Sequence, residues 1–160
     1  MTFNLEEQAM VARARYFAAK KHAGQKRKYT GEPYIVHPIA VSDRVRMAGG
    51  TADMVAAALL HDVLEDTDAT VDEVEAITNR EVAMLVLELT DQYTKDFYPE
   101  LNRKTRKRLE AKRLAEVSMP AKLIKLADMA DNTATITQHD PAFAKVYLQE
   151  KAELLEWMGF

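Results

Sequence analysis

The sequence predicts an all-α fold, one domain over residues 1–160 built from about eight helices. Three observations carry that expectation. Five glycines and five prolines are too few for the turns of an all-β chain, and they fall between segments rather than inside them. Helix-start signatures recur, with Asn, Thr or Asp standing just ahead of an apolar-periodic run. The length of 160 residues matches the ~150-residue norm for one domain, with no internal repeat, low-complexity segment or linker to divide it.

Asn4 followed by Glu7 is a capping box, and Leu5 to Ala23 then reads as a helix stopped by Gly24. Lys26 to Pro33 is a basic loop with turn chemistry at Gly31 and Pro33. His37 stands before Pro38, which suits the first position of a second helix, ended by Gly49-Gly50. Thr51 caps a third helix running to about Asp66, and Thr70 with Glu73 makes a capping box for a short fourth. Glu81 to Asp91, rich in Val, Leu and Met, is a fifth. Gln92 to Leu101 reads as a loop containing Pro99, after which Asn102 caps a basic helix ending near Ser118. Pro120 starts the next helix, through about Ile136, and Asp140-Pro141 opens a last one ending at Gly159.

Composition narrows the function classes. Hydrophobic residues make up 48% and charged residues 29%, which fits a folded globular chain and not a disordered one. A chain of this length buries roughly two-thirds of its unfolded surface, so its core needs no staples. None is available from thiols, because the sequence has no cysteine; disulfides, zinc–cysteine sites, iron–sulfur clusters and thiol nucleophiles are excluded. No run approaches the ~18 apolar residues of a membrane span, and Met1–Leu5 lacks the form of a secretory signal. The expectation is a cytoplasmic protein without a membrane partner. Net charge is −3, from 22 basic and 25 acidic residues, which argues against a nucleic-acid partner for the chain as a whole. The sign is uneven: seven of the eleven residues from Arg103 to Arg113 are basic, whereas Glu65 to Glu75 is strongly acidic.

The third helix carries the sharpest anomaly. Seven apolar residues, Met54 to Leu60, run directly into His61-Asp62, Val63-Leu64 and Glu65-Asp66. A helix apolar all round for two turns is central rather than superficial. Positions 61, 62, 65 and 66 form one polar stripe, since three- and four-residue steps return to the same face. Uncompensated, three carboxylates and an imidazole at the end of a buried segment cost roughly 2 kcal/mol or more for each desolvated group. A hard divalent cation such as Mn²⁺ would neutralise them and suits a mixed imidazole–carboxylate set. A helix that simply surfaces at His61, with a solvated stripe, fits the pattern equally well. In Lys122 to Asn132, Leu123, Leu126, Ala127 and Ala130 form one stripe, and Lys125, Asp128, Asp131 and Asn132 the other. Taken alone, Asp128 belongs to the wet face of an amphipathic helix and His37 is a helix-start residue. Spacing by itself brings neither to His61.

Three stretches together resemble a known family. Gly31-Glu-Pro-Tyr-Ile-Val-His37-Pro, Ala58-Leu-Leu-His61-Asp62-Val-Leu-Glu65-Asp66-Thr and Lys125-Leu-Ala-Asp128 are similar to the motifs of HD-domain phosphohydrolases. Within that family they look most like the hydrolase domain of RelA/SpoT homologues and the small stand-alone alarmone hydrolases. The resemblance spans about Ala9 to Ile136; a His-Asp pair alone says little, but three long motifs in order and at the right rough spacing say much.

The resemblance implies a compact HD-domain helical fold in which His37, His61, Asp62 and Asp128 hold one Mn²⁺ (another divalent metal would serve the same ligands). Open positions would remain for water and a substrate oxygen. Glu65 and Asp66 match the family's catalytic acidic pair, with the job of orienting and deprotonating the attacking water. Arg27 and Lys28 match the basic pair flanking the nucleotide, Asn132 and Thr135 the positions that contact ribose and base. Arg106 and Lys107 fall in a basic segment that lies near the phosphates in relatives, where a plain solvated helix is the competing reading. The implied reaction is release of the 3′-pyrophosphate from guanosine tetra- or pentaphosphate, (p)ppGpp, a small anionic nucleotide, by a monomer or weak oligomer. Two other readings stay open: a related phosphohydrolase acting on a nucleoside monophosphate or NADPH, and a non-catalytic nucleotide-binding helical module. No synthetase or regulatory region follows the last helix, so a bifunctional enzyme is not expected. Two departures fall on the nucleotide side. Met129 stands where relatives usually carry Arg or Lys, and Asp131 where they more often have an aromatic residue or His.

Overall fold

Nine helical segments follow one another along the described residues, 2–160 of a computed structural model. They are α1 (Leu5–Lys21), α2 (Val36–Met47), α3 (Ala52–Leu60), α4 (Val63–Asp66), α5 (Val71–Ile77), α6 (Arg80–Leu89), α7 (Arg103–Ala115), α8 (Met119–His139) and α9 (Pro141–Met158). No β-strand forms among those residues; Lys26 and Pro33 make one isolated antiparallel bridge that closes the basic loop. Side-chain oxygens of Asn4, Thr51, Thr70, Asn102 and Asp140 cap the helices they precede, as expected from the sequence. Two further caps, Asn79 and Ser118, set the starts of α6 and α8. Each such cap is worth about 1 kcal/mol against alanine. Pro38 is the third residue of α2 rather than its first, which costs nothing because first-turn N–H groups have no intrahelical partner.

The third predicted helix is broken in two, which accounts for nine segments instead of eight. α3 ends at Leu60, and α4 restarts at Val63. His61 Nδ1 lies 2.6 Å from the Ala58 carbonyl oxygen, and the His61 backbone N–H reaches the same oxygen at 3.5 Å. That three-residue step tightens the turn, and Asp62 then takes φ −104°, ψ −1°, outside regular α geometry. The imidazole competes with the helix ladder for one carbonyl, and the break turns His61 and Asp62 toward the same space.

α3 is the axis of the main layer. Val55 to Leu60 are almost without solvent contact, and α1, α2, α6 and α8 pack around them. Ala56, Ala57 and Ala58 keep that surface thin, so the neighbouring helices approach closely. Truncating Leu59 or Leu60 to alanine would cost about 2–5 kcal/mol. Gly50 lets the α2–α3 corner close: a Cβ there would stand 2.9 Å from the Val45 carbonyl oxygen. A second, smaller layer is formed by α7 and α9, which pack on each other, with α9 also against α8. Its apolar centre is Leu114, Met129 and Met158. α8 therefore belongs to both layers, and a cleft opens where they meet.

Candidate active site

The cleft is a cavity of about 280 Å³ lined by residues of the α2 start, the α3–α4 break, α7, α8 and α9. His37 of α2, His61 at the end of α3 and Asp128 of α8 are all buried there, with Asp62 half-buried beside them. His37 Nε2 lies 3.0 Å from Asp128 Oδ1 and 3.8 Å from Asp62 Oδ2. His61 Nε2 lies 3.0 Å from Asp62 Oδ2 and 3.4 Å from Asp128 Oδ1. Two ligand atoms sharing one small cation at roughly 2.1 Å stand about 3 Å apart; His37, His61 and Asp128 offer ligand atoms within 4.8 Å of one another, and Asp62 Oδ2 stands 3.0 Å from His61 Nε2 at their edge.

Each of the four is braced from behind. The His61 Nδ1–H donates to Ala58, which leaves Nε2 facing the cavity; buried, Nε2 makes no well-aligned hydrogen bond, although Asp62 Oδ2 lies 3.0 Å away. That unsatisfied nitrogen is the atom that a cation at the common focus would engage in place of a proton. Asp62 accepts from the Tyr34 hydroxyl at 2.6 Å. Asp128 accepts from Lys125 Nζ at 3.0 Å and from Asn132 Nδ2 at 3.1 Å. His37 Nδ1 meets Asp131 Oδ2 at 2.6 Å. The donor set fits a hard divalent cation: two imidazole nitrogens and two carboxylate oxygens, in a chain that has no thiol to offer.

The charges are crowded. Burial disfavours the charged form of both histidines, but the hydrogen bonds that His37 makes to Asp128 and Asp131 raise it. Asp62 and Asp128 together hold His61 well above the usual imidazole range. Burial likewise opposes the Asp62 and Asp128 charges, yet His61 brings Asp62 down to about 2, and Lys125 with the two imidazoles holds Asp128 well below its ordinary value. Lys125 in return is raised by Asp128 against its own burial. Glu65 and Asp66 behave in the opposite way. Their side chains reach solvent at the cleft rim, but desolvation within the cleft and the neighbouring carboxylates Asp91 and Asp62 push Glu65 to about 8. Desolvation and then Asp62 push Asp66 to about 6. Asp62, Glu65 and Asp66 place carboxylate oxygens within 4.8 Å of one another, so one flank of the focus is a carboxylate wall. Glu65 Oε1 is held by the Asp91 backbone N–H at 2.8 Å.

The residues expected around a nucleotide are not all brought to the cavity. Asn132 and Lys107 line the cavity. Arg27 stands beside it, with Nη2 3.4 Å from Asn132 Oδ1 and 3.8 Å from Asp131 Oδ2. Lys28 lies exposed over the Tyr29 ring, and Thr135 donates to the Asp131 carbonyl one turn further along α8; neither lines the cavity. Arg106 donates to the Leu101 carbonyl and lines a neighbouring hollow under the loop joining α6 to α7. Several lining residues carried no signal of their own in the sequence: Arg103 from α7, and Tyr147, Glu150 and Lys151 from α9. Glu110, on the basic helix, is buried and accepts from the Gln92 and Tyr93 N–H groups, both at 2.6 Å.

Comparison with known proteins gives the family. The family model described as HD domain matches residues 14–154. The human protein named guanosine-3′,5′-bis(diphosphate) 3′-pyrophosphohydrolase MESH1 is 44% identical over 138 residues, covering 84% of this chain and 74% of that protein. An Aquifex aeolicus protein named guanosine-3′,5′-bis(diphosphate) 3′-pyrophosphohydrolase is 40% identical over 127 residues, 79% of this chain but 18% of that much longer one. A solved structure described as a metazoan ortholog of SpoT that hydrolyzes ppGpp superposes with a TM-score of 0.84 at 32% identity, covering 99% of this chain and 89% of that one. With the family model spanning residues 14–154, nearly the whole sequence, the chain belongs to the HD domain family.

Proposed function

We propose that this chain, working as a single domain, is a divalent-metal-dependent hydrolase that removes the 3′-pyrophosphate of (p)ppGpp, with Mn²⁺ as the cation. The observation that carries the proposal is the buried cluster of His37, His61 and Asp128, with Asp62 3.0 Å from His61 Nε2 at its edge and that nitrogen without a well-aligned hydrogen bond. The substrate is argued from the relatives named for that activity. His37, His61, Asp62 and Asp128 would hold the cation, which when bound supplies Lewis-acid chemistry to the reacting phosphoryl group. Glu65 and Asp66 stand at the rim to orient the attacking water and take its proton, and the cation's charge offsets the crowding that otherwise keeps Glu65 protonated. Water adds to phosphorus, the bond to the 3′-oxygen breaks, and that oxygen leaves with a proton, giving pyrophosphate and the 3′-hydroxyl nucleotide. Arg27, Lys28, Asn132 and Thr135 are assigned to the nucleoside side, and Lys107, with Arg106 behind it, to the phosphates. A guanidinium there binds phosphate bidentately or stacks on a purine.

The test is product analysis. Mn²⁺-loaded protein is incubated separately with ppGpp, NADPH and a set of nucleoside monophosphates, and every product is identified. Pyrophosphate together with GDP from ppGpp is the expected result. Orthophosphate from NADPH or a monophosphate, with ppGpp untouched, would replace this substrate by one of the alternatives, and no turnover at all would leave a nucleotide-binding module.

A further inference from the structure

Three of the four braces behind the focus are neutral or cationic donors or a backbone carbonyl: Tyr34 on Asp62, Lys125 and Asn132 on Asp128, and Ala58 on His61. The fourth, Asp131 on His37, is a carboxylate, and it is one of the two positions where the sequence departs from the HD-hydrolase pattern. Asp131 follows Asp128 by one helical step on α8, so a single turn delivers both a carboxylate to the focus and a carboxylate to the back of the facing imidazole. Its Oδ2 sits 2.6 Å from His37 Nδ1, while His37 Nε2 looks the other way, 3.0 Å from Asp128 Oδ1. Arg27 at 3.8 Å and Arg44 at 4.0 Å flank Asp131 on its outer side. Arg27 also donates to Asn132, and Asn132 donates to Asp128, which closes a ring: Arg27, Asp131, His37, Asp128, Asn132 and back to Arg27.

We infer that Asp131 is a positioning residue for the cation site: it accepts the His37 Nδ1–H and thereby fixes the ring rotation and the tautomer that presents Nε2 to the cation. The physical basis is general. An imidazole binds a metal through one nitrogen only when the other carries the proton, and a carboxylate accepting that proton's hydrogen bond makes the ligating nitrogen more basic. The inference rests on the reading of His37 as a cation ligand, and it adds a residue that the family motif does not supply at this position.

The experiment measures Mn²⁺ binding by electron paramagnetic resonance, with no nucleotide present, for the wild type, Asp131→Ala and Asp131→Asn. Asp131→Ala is expected to weaken Mn²⁺ by roughly 10–100-fold, the scale of losing such a partner. Asp131→Asn keeps an acceptor oxygen and should recover a good part of that loss. At saturating Mn²⁺ the turnover number of Asp131→Ala should return to within a few-fold of wild type, a split that a general loss of packing would not produce. The second readout is spectroscopic. In Zn²⁺-loaded protein the His37 Nδ1–H should give a far-downfield, exchange-protected proton resonance that moves upfield in Asp131→Asn. A Mn²⁺ affinity of Asp131→Ala within twofold of wild type, an Asp131→Asn loss equal to that of alanine, or an unmoved resonance would each overturn the inference. A wild type that binds no Mn²⁺ would sink the whole reading of the site, whereas one that binds it and hydrolyses no nucleotide would sink only the substrate.

Discussion

Asp128 and Lys107 line one cavity from opposite layers of the molecule, and they are held in very different ways. Asp128 is buried on α8, accepts from Lys125 and Asn132, and faces two imidazoles whose rear nitrogens are themselves engaged. Lys107 projects from the exposed face of α7. Its neighbour Arg103 is already committed to Glu150 through two contacts of 3.0 Å, and Arg108 reaches Glu153 at 3.3 Å. The metal end is therefore preorganised, because moving any ligand leaves a buried polar group unpaired. The basic rim is a set of screened, solvated charges that can rearrange around a substrate at little cost. Under the proposed function, rigidity falls where the cation would sit and tolerance where the anionic substrate would dock.

Removing a ligand should produce the largest effect that this contrast predicts. Asp62→Ala takes away a focus oxygen and strands the Tyr34 hydroxyl, so bound Mn²⁺ and nucleotide turnover should both fall to background. Elemental analysis after gel filtration checks the first. Full metal content in the variant would remove Asp62 from the ligand set and with it much of the claimed rigidity.

The contrast also decided what could be read in advance. His61, Asp62, Glu65 and Asp66 were visible as a stripe because they interrupt a fully apolar run, and burying such a stripe leaves few chemical choices. Lys125, Asp128, Asp131 and Asn132 were visible as one helix face, and the structure keeps them on one face. What the periodicity could not supply was the partner of that face: only the family resemblance joined Asp128 and His37 to His61. The break between α3 and α4 was hidden because it depends on an imidazole bonding back to the Ala58 carbonyl, and no propensity at His61 announces that. α9 contributed nothing legible, since Tyr147, Glu150 and Lys151 look like ordinary surface residues of an amphipathic helix until α9 packs against α7 and α8. Exposed rims carry little sequence signal because solvated side chains satisfy many environments equally.

Glu65 tests whether rim carboxylates differ in kind from focus carboxylates. Glu65→Gln keeps the bond from the Asp91 N–H and should leave Mn²⁺ affinity near wild type. Turnover should nevertheless drop by roughly 10²-fold or more, the scale for losing a general base. Pre-steady-state rates at saturating Mn²⁺ separate the two effects, and unchanged turnover would make Glu65 a structural residue.

The acid–base balance of the metal-free protein gives a gentler test of the same end. Glu65 and Asp66, raised to about 8 and about 6 from 4.5 and 3.8, bind protons in the folded state that the unfolded chain has released. His37 and His61, also raised, have the same sign. The folded state is therefore the more protonated one, and its stability declines as pH climbs through that window. Asp62 and Asp128 are depressed, so their contribution is already complete above their unfolded values and does not oppose the trend. Without metal, the melting temperature should fall between about pH 5 and pH 8, and added Mn²⁺ should raise it more at the upper end. A flat metal-free profile would mean that the carboxylate wall is not crowded in solution.

The smallest effect separates two adjacent cations. Lys107 lines both the Asp128 cavity and the hollow under the α6–α7 loop, whereas Arg106 lines only the hollow and gives a guanidinium N–H to the Leu101 carbonyl. An exposed ammonium that pairs with a phosphate only in the complex contributes directly to binding, so Lys107→Ala should raise KM several-fold, at or below the ~1.5–3 kcal/mol of a buried charge-assisted bond. Arg106 acts one step back, by holding the loop end, and Arg106→Ala should change KM by no more than about twofold at physiological ionic strength. Steady-state kinetics at two salt concentrations distinguishes the roles. The Lys107 effect should shrink as salt rises, because it is a charge meeting a charge, while a loop-holding hydrogen bond is indifferent to screening. Equal and equally salt-sensitive losses in both variants would place Arg106 on the phosphates too and make the rim as directional as the metal end.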